Sequence, residues 1–346
     1  MVRTQKNLSG FVLLGLLPVV GIALALLATE LVVRGIELIP SGHKKWSDRP
    51  QEYFQHEASA TLQDYSYPPK VGDTFRIAVI GDSFSFAPYM QFTDAFPKVL
   101  ERMLNLNGEL NQQNRQRVEV VNYGVPAYST SHEVATAKKA VKEGADLLLL
   151  QFTLNDPELK PIRPTGITQF NTWGPLSVKG WRKALFEYWH TFKLVSERLH
   201  NAKTKREYIK YFLNLYENPE TYSVFVKSVR KINRIAQKHK VPLVGVVFPL
   251  YGTPLDDSYP FFLCHDKIAQ ILTDIQVPLL DLFSTFKGIP LERLQVIPGE
   301  DRHPNEIGHR MAAESIYQFL AEKNLIPENA KIRKKSSQRH NIYPSQ

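Results

Sequence analysis

The chain has 346 residues, 43% of them hydrophobic and 22% charged, the make-up of a folded globular protein rather than a disordered or collagen-like one. Its formal charge of +9 raises the question of a polyanionic partner, but the excess gathers in 181–210 and 331–339 without any recognition-helix, zinc-finger or RNA-binding signature, so nucleic acid is not expected. The single cysteine, Cys264, excludes an internal disulfide and a cysteine-rich metal site and reads as a small buried hydrophobe.

Phe11 to Ala28 carries no charge, and apolar residues continue through Leu31, Val32 and Val33, a length that crosses a bilayer. A cleaved signal peptide, with Ala23 and Ala25 before the cut, competes with an uncleaved anchor; the run on to Val33 favours the anchor over 1–34. Arg3 and Lys6 precede the span, while Arg34, Lys44, Lys45 and Arg49 follow it, so the positive-inside rule leaves the side open. A short basic N-terminus before one apolar segment has the form of a signal-anchor, which puts the rest of the chain on the periplasmic or extracytoplasmic side. Residues 35–72, with Pro, Ser and charge but no period, read as a linker, and 326–346 as a basic tail.

Between them, 73–325 alternates strand and helix. Phe75 to Ile80 is a short Val/Ile strand that breaks at Gly81, passes Asp82 and Ser83, and runs into a helix. Phe92 to Leu106 has helical spacing, Val118 to Tyr123 is a second strand ending at Gly124, Ser131 to Lys142 a helix, and Asp146 to Phe152 an apolar strand ending at Asn155. Further on, helices are expected at Val224–His239, Lys267–Ile275 and Pro304–Lys323, and strands at Val241–Phe248 and Val277–Phe283. Asp281, near the end of the last strand, reads as a loop-capping carboxylate. The alternation requires crossover connections, hence a flavodoxin-like α/β/α three-layer fold on a mainly parallel five-stranded sheet, behind one N-terminal transmembrane helix. Ser83, Gly124 and Asn155 then meet at one sheet edge, where open α/β sheets hold ligands. The 157–222 segment interrupts this order. It is rich in Trp and Tyr (Trp173, Trp181, Trp189, Tyr208, Tyr211, Tyr216), with one helix expected over Trp181–His200, and reads as an inserted aromatic cap.

A serine at a helix start has amides at hand for an oxyanion, but needs an imidazole to take its proton and a carboxylate to orient that imidazole. His303, in a loop before the Pro304 helix, supplies the ring, with Glu300 and Asp301 beside it. No Gly-x-Ser-x-Gly, His-Glu-x-x-His, P-loop or Gly-x-Gly-x-x-Gly occurs, so neither a metal nor a cofactor is expected. In order, Gly81-Asp82-Ser83, Asn122-Tyr123-Gly124, Leu154-Asn155-Asp156 and Asp301-Arg302-His303-Pro304-Asn305 resemble the four blocks of the SGNH (GDSL-type) hydrolase family. The resemblance runs from about Phe75 to Leu320. It implies Ser83 as nucleophile, His303 as base, and an oxyanion hole from the Ser83 and Gly124 N–H groups and the Asn155 amide. Two places depart from the family pattern: Thr153 stands where a glycine is common, and the position three before the histidine is Glu300, with aspartate at two. Asp301 is taken as the triad acid, with Glu300 in reserve. The implied activity is a serine esterase removing an ester-linked acyl group, acetyl foremost, from a surface carbohydrate or a lipid. The alternatives are an O-acyltransferase using the same acyl-enzyme and a catalytically silent, membrane-tethered binding or assembly subunit. The aromatic rings of the cap favour carbohydrate over lipid.

Overall fold

The computed structural model describes residues 8–39, 69–106, 116–159, 176–298 and 301–330. Most of the expected linker, Trp173, Glu300 and the basic tail beyond 330 lie outside the described residues. The chain divides into two compact units, one of residues 1–43 with 168–208 and one of 44–167 with 209–346.

The first unit holds α1 (Leu8–Glu37). Its Leu17–Glu37 stretch, of mean hydropathy 2.0 and with nearly all of its surface exposed, is the one helix among the described residues long and apolar enough to cross a membrane. The unit also contains α5 (Trp181–Tyr188) and the start of α6 (His190–Glu217). Sequence periodicity predicts one continuous helix here. The chain instead breaks at Trp189, whose backbone is extended (φ −112°, ψ 96°), and a new helix starts where Glu30 of α1 accepts the His190 and Thr191 N–H groups at 2.9 and 2.8 Å.

In the second unit, β1 (Phe75–Ile80), β2 (Val118–Asn122), β3 (Leu147–Phe152), β4 (Leu243–Val247) and β5 (Leu279–Asp281) form one parallel sheet in the order β2-β1-β3-β4-β5. The unbroken Val, Ile and Leu runs of β1, β3 and β4 are buried, as strands covered on both faces must be. Helices α2 (Ser83–Phe86), α3 (Phe96–Asn105) and α4 (Thr130–Lys142) follow the first two strands. From β1 the chain crosses to β2 through α3 and returns past β1 to β3 through α4; right-handed crossovers in opposite directions put these helices on opposite faces. Helix α4 packs with α7 (Pro219–His239), and α3 with α10 (Glu306–Glu322). Helices α8 (Phe262–Asp274) and α9 (Phe283–Phe286) flank β5. Cys264 is fully buried, and burial pushes its thiol up to about 12, so it is an inert core residue.

The strand order reverses between β1 and β3, which opens a crevice at their carboxyl ends. A feature the sequence did not suggest closes it: an antiparallel pair of β6 (Gln295–Ile297) and β7 (Asp301–Pro304), with a register shift between Gln295 and Ile297. His303 therefore sits on a strand rather than in a loop. Asn305 secures this pair to the last helix. Its Oδ1 caps α10 by accepting the Ile307 and Gly308 N–H groups, both at 3.0 Å, while its Nδ2 donates to Arg293 O (2.9 Å) and Gln295 O (3.3 Å).

Candidate active site

Strand β1 delivers the chain into the tight turn at Gly81 and Asp82. Asp82 is the N-cap of α2: its Oδ1 accepts the Phe84 N–H at 2.9 Å, which turns the backbone so that Ser83 opens the helix. From the far end of the chain β7 brings in His303, whose Nε2 lies 2.9 Å from Ser83 Oγ. Asp301 Oδ1 lies 2.7 Å from His303 Nδ1 and also accepts the His303 backbone N–H at 2.9 Å, so one carboxylate oxygen fixes both ring and backbone. Asp301, the acid preferred from sequence, is thus at bonding distance, and Glu300 lies outside the described residues.

The electrostatics follow from these contacts. Burial opposes charge on the His303 ring, but the charge of Asp301, its hydrogen bond and the more distant Asp82 outweigh burial and raise the imidazole above its usual value. Burial likewise works against the Asp301 carboxylate, and the His303 charge and bonds overcome it, so Asp301 stays below the usual carboxylate range. The result is a base that holds a transferred proton well and an acid that remains ionised beside it.

The expected oxyanion donors differ from one another. Among the described residues no acceptor takes the Ser83 N–H. Asn155 has its Oδ1 held in a short bond by the Thr153 hydroxyl, and among the described residues no acceptor takes its Nδ2. The Gly124 N–H, by contrast, donates to Asn122 Oδ1 at 3.0 Å, and Asn122 Nδ2 donates to Ser85 O at 2.7 Å. Gly124 owes its lack of a side chain to packing: a Cβ there would stand 2.6 Å from Phe86 N and 2.7 Å from Ser85 Cβ. The close neighbour of that bare position is α2.

Thr153 marks the departure from the family pattern and has a partner on each side, since its hydroxyl also lies 2.5 Å from Asp82 Oδ2. One hydroxyl proton cannot serve two acceptor oxygens, so both bonds are made when Asp82 carries a proton of its own. Burial raises the Asp82 carboxyl despite the bonds from Thr153 and the Phe84 N–H and the charge of His303. Asp82 and Thr153 therefore belong to the site's support, a role not assigned to them from sequence; two acidic or hydroxylic residues flanking Ser83 and Asn155 were the available signal.

Around Thr153 lies a group of buried acids. Asp156 accepts the Thr130 hydroxyl at 2.6 Å and the Thr153 N–H at 2.7 Å, and Glu158 accepts the Tyr211 hydroxyl at 2.6 Å. Burial, with Asp156 and Asp82 nearby, pushes the Glu133 carboxyl well above its normal value, and the Thr130 side chain opposes this only weakly. Three aromatics of the expected cap fall among the described residues as follows. Tyr216 is fully buried against Phe225, Tyr211 is tied to Glu158, and Trp181 is exposed on α5 in the other unit. Asp281 is a cap as expected, accepting the Phe283 N–H at 2.8 Å, and also meets His265 Nδ1 at 2.9 Å.

No family model and no curated protein matches this chain. Among solved structures it is similar to the acetyl xylan esterase AlAXEase, at 14% identity and a TM-score of 0.43 over 71% of this chain and 100% of that one. A psychrotrophic esterase EstA from Pseudoalteromonas sp. matches at 11% identity and 0.43, over 72% and 99%. A member of the lipolytic protein G-D-S-L family from Veillonella parvula DSM 2008 matches at 12% and 0.40, over 72% and 99%.

Proposed function

We propose that this chain is a serine esterase that cleaves an ester-linked acyl group by way of an acyl-enzyme on Ser83. The observation that carries the reading is the unbroken row from Ser83 Oγ through His303 to Asp301, at 2.9 and 2.7 Å. Ser83 Oγ attacks the acyl carbonyl as its proton passes to His303 Nε2, and Asp301 holds the ring and its charge. The Ser83 N–H and Asn155 Nδ2 take the developing oxyanion, joined by Gly124 if its N–H turns from Asn122 toward the substrate. His303 then hands the proton to the departing alcohol, and water repeats the cycle on the acyl-enzyme.

The acyl group is short, acetyl foremost. Phe84 packs against Phe248 (5.6 Å between ring centres), Tyr251 (6.1 Å) and His303 (5.5 Å), a wall of rings that limits room beside the base. The apolar stretch of α1 anchors the enzyme, with the catalytic unit outside the cytoplasm. A panel of acetylated glycans and lysophospholipids separates the two carriers, and release confined to the lipids rejects carbohydrate.

A fluorophosphonate probe should label the parent protein, and Ser83→Ala should abolish both labelling and hydrolysis of a short-chain aryl ester. Full activity in Ser83→Ala would reject the mechanism. The engagement of Gly124 by Asn122 adds to Thr153 and the displaced acid in favour of a silent binding subunit; a folded parent protein that never labels would establish that reading instead.

A further inference from the structure

The geometry points to a binding surface for anionic phospholipid headgroups on the helical unit that carries α1, an inference that rests on the anchoring proposed above. It begins with Glu30. A carboxylate in the last turns of an apolar span is costly unless its oxygens are satisfied. Glu30 accepts the His190 N–H (2.9 Å), the Thr191 N–H and hydroxyl (both 2.8 Å) and Arg34 Nε (2.8 Å). The orphan amides at the start of α6 thus meet the carboxylate of the span. Arg34 Nη2 adds a bond to Tyr188 O at 2.8 Å, and Glu37 pairs with His190. Glu30 to Glu37 covers about 10 Å of helix axis, so the junction of α5 and α6 is fixed at the depth where hydrocarbon gives way to headgroups.

The side chains displayed there suit that depth. Trp181 and Tyr188 are 73% and 75% exposed, and such rings with a polar edge concentrate at membrane interfaces. On α6, Val195, Arg198, Leu199, Ala202 and Arg206 are all exposed and share one face by their spacing, so apolar side chains alternate with arginines whose heads can reach outward. Lys179, Arg182, His200 and Lys203 line an open cleft of about 530 Å³ together with Val178 and Phe192, and Arg182 lies over the Trp181 ring at 5.6 Å. Between 176 and 208 the sequence has eight lysines and arginines against three glutamates. Two of the glutamates pair loosely with the exposed Lys183 and Lys203, at 3.6 and 3.7 Å, and eight cations against three carboxylates leave a net positive charge. A soluble polyanion would satisfy the cations but leave Val195, Leu199 and Trp181 in water. A membrane surface of anionic phospholipid accommodates both, and lies beside the span.

The test uses the full chain in vesicles of phosphatidylcholine alone or mixed with phosphatidylglycerol. Flotation with either vesicle reads the anchor. Quenching of tryptophan fluorescence by brominated lipid, taken as the difference between parent and Trp181→Phe, reads the depth of Trp181. Trp181 should be quenched, more so with phosphatidylglycerol, and the triple variant Lys179→Gln, Arg182→Gln, Lys203→Gln should float as the parent does but lose the phosphatidylglycerol increment while keeping its circular dichroism. Flotation with an unquenched Trp181, or an increment that survives in the triple variant, overturns the inference and leaves the anchor standing. Failure to float removes the anchor and the inference with it.

Discussion

Asp301 and Asp82 both favour the charged form of His303, yet their own carboxyls are pushed in opposite directions. Asp301 faces the ring at 2.7 Å and is held ionised; Asp82 meets a hydroxyl and one backbone amide, and its burial prevails. The buried acids behind it go the same way, Asp156 and Glu133 well above the normal range and Glu158 up to about 7. Burial raises every one of these carboxyls, and only at Asp301 does a directly bonded imidazole outweigh it. Two populations result: one carboxyl held ionised beside the base, and several that burial pushes upward.

The largest effect should come from breaking the charged member. Asp301→Asn should lower kcat by about ten thousandfold, by losing the tautomer control and the charge that stabilises the imidazolium. It should also move the acid limb of the pH profile. In the parent, His303 must lose its proton to act as base, so kcat/KM rises with pH through a value above about 6.5. Without Asp301 burial acts on the ring with less opposition, and the limb shifts to lower pH. The sign for stability is separate: the raised His303 contributes stability below its unfolded value that is lost as pH rises through the folded one, while the lowered Asp301 loses its contribution as pH falls through its own. Residual activity with an unmoved limb would mean that Asp301 is not the partner that sets the base.

The raised members are broken with Glu158→Gln, which keeps an acceptor for the Tyr211 hydroxyl and removes the titration. Glu158 titrates near 7 in the fold against about 4.5 when unfolded, so the native state holds the extra proton and stability falls as pH rises between those values. The loss is on the order of 3 kcal/mol. Urea unfolding at either end of that range should show the parent losing stability at the higher pH relative to the variant; parallel slopes would remove Glu158 from the raised group.

How far this was legible in the sequence depends on how local each signal is. The Val/Ile run of β1, the Val run of β2, the Leu run of β3 and the turns after them are short-range patterns, and they located Ser83, Gly124 and Asn155 at one sheet edge. Asp301 was separable from Glu300 only through its resemblance to a motif variant. The β6–β7 pair was not visible, because strands of three and four residues with a register shift carry no usable alternation. Nor was the break at Trp189, whose cause is a carboxylate some 160 positions away in the chain. The engagement of Gly124 by Asn122 and the double contact of Thr153 are likewise facts of side-chain meeting, which spacing does not encode.

The boundary between the two populations is Thr153, where the hydroxyl joins Asp82 to Asn155. Thr153→Val keeps the shape and removes the link. Asn155 Oδ1 then has nothing to hold it, its Nδ2 spends less time toward the oxyanion, and Asp82 is left with the Phe84 N–H on its other oxygen. Since complete loss of an oxyanion donor costs about a hundredfold or more, loss of its positioning should cost roughly tenfold in kcat with KM little changed. Thr153→Ser restores the hydroxyl without the methyl and should recover most of the rate. A hydroxyl that merely satisfied buried Asp82 would lower the unfolding midpoint of the valine variant by leaving an oxygen unpaired, yet leave kcat per folded molecule unchanged. Measuring both quantities on the Val and Ser variants separates these cases: a stability loss with intact kcat would confine Thr153 to the support of Asp82, and a kcat loss reversed by serine would make it the residue that aims the Asn155 amide.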